Sequence, residues 1–228
     1  DLWLDSYASD FLARARAQGY DVPDTAFRAA MDNLRNRVNY YPDFEEGGQD
    51  LAYALYVLAR EGAATMGDLR YYADTKAGAF SSPLASAQLG AALAAYGDTA
   101  RADRMFAQAE RQIEASAPED QVWRADYGTP KRDAAAVLAL AVEAGTEVVD
   151  RTALLTRITR GSAEQSTQEA AWSLLAANAM LTEAPGAGLT LDGTALTGPL
   201  VEILSPAELL RDKVIANAGT RETTLTVT

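Results

Sequence analysis

Apolar residues recur at helical spacing from the first positions of the chain to about Leu181. Trp3, Leu4, Tyr7, Phe11 and Leu12 mark a first helix that ends near Gln18 and Gly19. Pro23 stands where a helix start tolerates proline, and Phe27, Met31 and Leu34 carry a second. The run GGQDLAYALYVLAREG gives a third, stopped by Gly62, and TMGDLRYYADTK starts a fourth with a Thr-x-x-Asp capping pattern at Thr65 and Asp68. Ser82-Pro83 opens a fifth that stops at Gly97. DTARADRMFAQAERQIEAS is a sixth, and Thr129-Pro130 opens a seventh that ends at Gly145. An eighth runs from about Asp150 to Thr159. The ninth begins at Ser166, with Glu169 three residues on completing a capping box, and is apolar almost all the way round.

The helices alternate in kind. The odd-numbered ones are rich in Ala, Leu and aromatics, whereas the even-numbered ones carry Arg, Asp and Glu on a broad face. The apolar helices start near residues 2, 46, 83, 130 and 167, so a pair recurs at about 37 to 47 residues. An open solenoid wets one side of every helix. Helices that are apolar on most sides suit an inner ring wrapped by an outer one, an α/α toroid. Four pairs plus one inner helix fall short of the about six pairs of a closed ring built from such hairpins, so the toroid is expected to be incomplete on its N-terminal side. The chain opens DLWLDSYASDF without Met and reads as a piece of a longer protein.

From Pro185 the pattern changes. Leu189 and Leu191 alternate with Thr190, and Asp192-Gly193 is a two-residue hairpin signal. PLVEIL and TRETTLTVT alternate too, with Leu225 and Val227 on one face. The expected organisation is mainly α, with a helical domain over 1–184 and a β-rich segment over 185–228. A sheet this small is not stable alone and must lean on the helices or on strands from elsewhere.

Composition narrows the chemistry. The net charge is −12, with 20 Lys and Arg against 32 Asp and Glu, so nucleic acid and anionic membrane surfaces repel the chain. With no Cys and no His, thiolate nucleophiles, Ser-His pairs, His-bound metals and disulfides are excluded, and no cofactor or metal is expected. No stretch reaches the length of a membrane-spanning helix.

Carboxylates remain, and toroids include glycosidases. Asp43, Glu45, Glu46 and Asp50 lie in a loop that leads into an inner helix, and Asp126-Tyr127 is the one candidate for a second carboxylate. A solvated loop is the simpler reading of the first group. The Asp-x-Asp-Asp run of terpene cyclases is absent, and Lys76, Lys131 and Lys213 show no spacing that would activate a serine. VNYYPDF and Tyr71-Tyr72 read as rim packing, and Trp123 and Trp172 as core.

Three runs, WLDSYASDFLARARAQGYDVPDTAFRAAMDNLRNRV, GQDLAYALYVLAREG and STQEAAWSLLAANAM, together resemble the thioester-containing helical domain of bacterial alpha-2-macroglobulins. LTLDGTALTG and IANAGTRETTLTV resemble strands of the CUB-like domain that follows it. The resemblance covers essentially the whole chain. It implies a large periplasmic protein, lipid-anchored at the inner membrane through a part outside this segment. That protein serves bacterial defence by trapping host or competitor proteases after they cut a bait region. Its thioester, formed by a Cys-x-Glu-Gln motif, survives only while water and amines are kept away, and a conformational change exposes it. The motif is absent here, so it lies upstream, or the protein traps by steric means alone. This part then has no catalytic residue. It scaffolds the thioester region and contacts other domains of the same chain, with Ser166 and Glu169 capping the ninth helix and Trp172, Leu174 and Leu175 packing it. Two readings compete. A toroid glycosidase or lyase would use Asp43, Glu45 or Asp126. A non-catalytic helical-repeat scaffold would show an even spacing of about 34 residues.

Overall fold

A computed structural model describes residues 1–116, 124–160, 164–183, 188–195 and 213–219. Trp123, PLVEIL and TRETTLTVT lie outside the described residues. Nine helices stand in order among those that are described: α1 (Leu2–Ala17), α2 (Asp24–Asn39), α3 (Gln49–Arg60), α4 (Met66–Thr75), α5 (Pro83–Ala95), α6 (Thr99–Ala115), α7 (Pro130–Ala144), α8 (Arg151–Thr159) and α9 (Thr167–Glu183). Three short strands follow, β1 (Leu189–Leu191), β2 (Thr194–Ala195) and β3 (Ile215–Asn217), so the chain is mainly α with a small β segment.

The alternation in polarity becomes an alternation in depth. Nine of the 12 residues of α3 are buried, as are ten of 13 in α5 and 11 of 15 in α7. By contrast α2 buries four of 16 and α6 five of 17, each along a single stripe such as Phe27, Met31, Leu34 and Val38. A stripe at that spacing needs a neighbour on one side only, whereas α5 and α7 need neighbours on every side. They have them: α1, α3, α5 and α7 pack each on the next, α2 covers α1 and α3, α6 covers α5 and α7, and α8 lies on α7. Where α5 meets α6, a side chain on Gly90 would stand 3.0 Å from the Phe106 ring and 3.2 Å from the Ala102 carbonyl. The two helices therefore touch almost backbone to ring. Replacing Gly90 by Leu is expected to cost about 1–3 kcal/mol by overpacking, read as a lower urea midpoint with an unchanged slope.

Helix ends follow local chemistry. Ser82 accepts from Ala85 N and Thr129 from Arg132 N, each just before a proline in the first turn. Gly62, Gly97 and Gly145 take the left-handed backbone at the stops where the pattern places them. Thr65 departs from expectation: its side chain makes no cap bond, and a backbone bond from Asp68 N to the Thr65 carbonyl turns the chain instead.

The first compact unit spans Asp1–Ala176 and the second Ala177–Thr228, with α9 crossing from one to the other. In the second unit β2, β1 and β3 form an antiparallel sheet in that order. Asp192 and Gly193, at φ 49 and 81, turn β1 into β2 and set Leu191 opposite Thr194.

Candidate functional site

The inner helices run in one direction, because their starts share one cleft and their ends another. At the starting end, a cleft of about 510 Å³ is lined by Glu46 and Gln49 before and on α3, Ser81 before α5, Gln112 of α6, and Arg124 and Asp133 around the start of α7. This end also gathers the aromatic rings of the first helices. Trp3 stacks on Tyr7 at 5.5 Å, meets Tyr53 edge-on at 6.0 Å and packs on Tyr127 at 5.1 Å.

The loop acids are held by Lys76. Its Nζ stands 2.9 Å from Asp43 Oδ1 and 3.3 Å from Glu45 Oε1, and donates to the Phe44 carbonyl at 3.0 Å. The Lys76 ammonium beside Asp43 pulls its carboxyl below the usual carboxylate range. Asp50 accepts the Tyr41 hydroxyl at 2.6 Å. Phe44 meets Tyr41 and Phe80 edge to face and Tyr72 at a tilt, and Tyr72 meets Phe80 edge to face, with Tyr72 half-exposed and Tyr71 open to solvent.

Asp126 lies in a different environment. It is 3 % exposed and belongs to a quartet with the buried Arg132 and Asp133 and the partly exposed Arg124. Arg124 Nη2 reaches Asp126 Oδ2 at 2.6 Å, Arg132 Nη2 reaches the same oxygen at 2.7 Å, and Arg124 Nη1 reaches Asp133 Oδ2 at 2.6 Å. Arg132 Nε stands 2.9 Å from Asp133 Oδ1, an ion pair without the alignment of a hydrogen bond. Burial alone would push the Asp126 carboxyl up, but the charges of Arg132 and Arg124 outweigh it and hold the group below its ordinary range. A general acid needs the opposite shift. The loop closes over the quartet at Gly128, where a Cβ would lie 2.1 Å from Arg132 Nη2 and 2.4 Å from Arg124 Cζ, so any side chain there would displace the two guanidinium groups. Next to it Tyr127 holds a left-handed backbone at φ 54 while Gly128 N donates to Asp126 Oδ1 at 3.2 Å.

Ser166 N donates to Glu169 Oε2 at 2.7 Å and Glu169 N donates to Ser166 Oγ at 3.2 Å, a reciprocal cap for α9. The Thr129 hydroxyl also donates to Glu169 Oε1 at 2.7 Å, so one carboxylate joins the starts of α7 and α9. Burial opposes the Glu169 charge, yet the hydrogen bonds from Thr129 and Ser166 win and hold its carboxyl low. Replacing Glu169 by Ala is expected to cost about 1–2 kcal/mol, seen as a lowered urea midpoint. Trp172 is buried at 2 % exposure, and Ala176 lies one turn on along the same face. Leu174 is 72 % exposed, which corrects its assignment as packing. Its direction from the helix axis, two residues on from Trp172, points away from the buried stripe. On α1, Leu4 at 48 % and Phe11 at 69 % form a second exposed apolar face.

Long-range partners escaped sequence reading. Across the finishing end of the inner helices, Arg14 of α1 donates to Tyr56 of α3 at 2.9 Å and to Glu143 of α7 at 2.8 Å. Asp10 accepts from Arg14, Arg60 and the Tyr53 hydroxyl at 3.1, 2.8 and 3.0 Å. Only the Asp10/Arg14 spacing of four residues hinted at this network. Among the described residues no group of three Asp, Glu, His or Cys is placed to hold a metal, and no helix is long and apolar enough to cross a membrane.

Buried helices that pack each on the next are sheathed by amphipathic ones. No protein-family model matches the chain. The alpha-2-macroglobulin of Escherichia coli strain K12 is 34% identical over 152 residues, which is 63% of this chain and 9% of that protein. That of Xylella fastidiosa strain Temecula1 is 32% identical over 145 residues, 60% of this chain and 9% of its own length. In fold, Salmonella alpha-2-macroglobulin reacted with methylamine matches with a TM-score of 0.69 and 28% identity, over 95% of this chain and 14% of that one. Native Escherichia coli alpha-2-macroglobulin, from domain MG7 to the C-terminus, matches at 0.68 and 26%, over 95% of this chain and 33% of that structure. The chain is similar to bacterial alpha-2-macroglobulins and spans about a tenth of the relatives' length.

Proposed function

We propose that this chain is the scaffold of a thioester-type helical domain, and that the whole protein is an endopeptidase inhibitor that traps proteases rather than an enzyme. The observation that carries this reading is the fold match, over 95% of the chain, to the Salmonella protein that was reacted with methylamine. Related Escherichia coli forms are described as activated by trypsin and by porcine elastase. Carried over to this protein, proteolysis is the trigger and a small amine the kind of nucleophile that reacts afterwards.

The chain contains no Cys, so under this reading the thioester sulfur comes from residues outside these 228. The contribution of this part is rigidity and exclusion of water. The exposed apolar faces of α1 (Leu4, Phe11) and α9 (Leu174) support the completion of an α/α toroid by further helices that cover them. With no His in this part to relay an acyl group, transfer goes directly to protease lysines. The partners are the attacking proteases and the other domains of the same polypeptide. The same reading carries a periplasmic location with a lipid anchor at the inner membrane.

The test uses the full-length protein and trypsin. Trapped trypsin should lose activity on a protein substrate while keeping it on a small peptide, and should run as a covalent adduct that prior methylamine treatment abolishes. Full activity on both substrates, with no complex formed, contradicts the proposal.

A further inference from the structure

The finishing ends of α3, α5 and α7 enclose a second cleft, of about 380 Å³, which none of the roles above uses. It is well within the size of a small-ligand pocket. Its floor is the alanine face of α5, where Ala91, Ala94 and Ala95 are open to it although the rest of that helix is nearly all buried. Tyr56 and Arg60 of α3 and Glu143 of α7 form the walls.

The two charged walls are not equivalent. Arg60 is already committed, with Nη1 2.8 Å from Asp10 Oδ1 and its guanidinium 5.7 Å above the Tyr56 ring. Glu143 is committed on one side only. Its Oε1 takes Arg14 Nη1 at 2.8 Å, while among the described residues Oε2 has two long contacts of 3.4 Å, with Arg14 Nη2 and the Tyr56 hydroxyl. Asp10, Arg14, Arg60 and Glu143 cancel as formal charges. The balance is then set by three helix C-termini that end at the cleft, where each helix dipole carries a partial negative charge of about half a unit. A cation on an alkyl stem fits this arrangement. The stem lies on methyl groups, and the head meets a carboxylate oxygen with lone pairs to spare.

We infer that this cleft binds an alkylammonium group, with Glu143 as the recognising residue and the alanine face of α5 as the seat of the stem. Either a free polyamine or a lysine side chain of another polypeptide carries that chemistry. Arg14 is the positioning residue, because it fixes the Glu143 carboxylate from the far side.

Isothermal titration of this chain tests the inference, with cadaverine, with a blocked Ala-Lys-Ala peptide, and with pentanediol as the uncharged isostere. At least one of the two amines should saturate and the diol should not. Glu143→Gln should weaken amine binding about tenfold or more, the effect of losing a charge-assisted bond. Ala94→Leu, which fills the floor and leaves every charge in place, should do the same; thermal melts establish that both variants fold, and Ala94→Leu with the diol decides the matter where Glu143→Gln does not. Tighter cadaverine makes the ligand a polyamine, and a tighter peptide makes it a basic segment of another protein. Binding of the diol equal to cadaverine, affinity unchanged in Ala94→Leu, or saturation by neither amine overturns the inference.

Discussion

Asp126→Ala should lower the stability of the chain by about 3–5 kcal/mol, measured as a drop in the urea midpoint. The reason is the neighbour it abandons. Arg132 is fully buried at 0% side-chain exposure, and Asp126 Oδ2 at 2.7 Å is its best-aligned partner, its other contact being the poorly aligned Asp133. Removing the aspartate leaves two guanidinium groups facing a single carboxylate in a poorly solvated site. Replacing both Asp126 and Arg132 by apolar residues, Leu and Met, should restore much of the loss, since a buried pair exchanged whole for well-packed hydrocarbon is close to neutral. The pH dependence has a definite sign. The folded Asp126 carboxyl is held below its ordinary range, so the unfolded chain takes up the proton first. The stabilisation is complete above the unfolded pKa of about 4 and is lost as pH falls below it, toward the lower folded value. The melting temperature should therefore drop below about pH 4, and Asp126→Asn should flatten that fall.

Trp172→Ala is the second large effect, again about 3–5 kcal/mol, because an indole at 2 % exposure leaves a cavity that a helix cannot collapse into. Two residues on, Leu174→Ala at 72 % exposure should change the melt by less than about 0.5 kcal/mol. The contrast separates burial from mere hydrophobicity on one helix. A loss under about 1 kcal/mol for the tryptophan would place it at the surface.

Much of the helical order was legible because burial on all sides leaves a plain trace. The fifth and seventh helices read as inner from PLASAQLGAALAA and AAAVLALAV alone, and the amphipathic stripe of α6 read as outer. What stayed hidden were pairings between residues far apart in sequence. The segment RADYGTPKRD looks like a solvated turn with a charged helix start. Three of its five charges, Asp126, Arg132 and Asp133, are buried because Arg124 folds back over the start of α7 and supplies the two aspartates with donors. Arg14 and Glu143 are likewise 129 residues apart, and no periodicity links them. The even apolarity of α9 misled for a related reason: composition shows that Leu174 and Leu181 are apolar, not whether a neighbour is present to cover them. Thr65 carried a capping spacing whose side-chain bond the backbone pre-empted.

Amide hydrogen exchange on the intact chain tests the layered arrangement most directly, since protection follows burial and local stability. The slowest amides should belong to α3, α5 and α7, with α2, α4 and α8 exchanging well before them. Equal protection across odd and even helices would mean that neither set encloses the other, and the layered arrangement, with the sheltering role built on it, would fall.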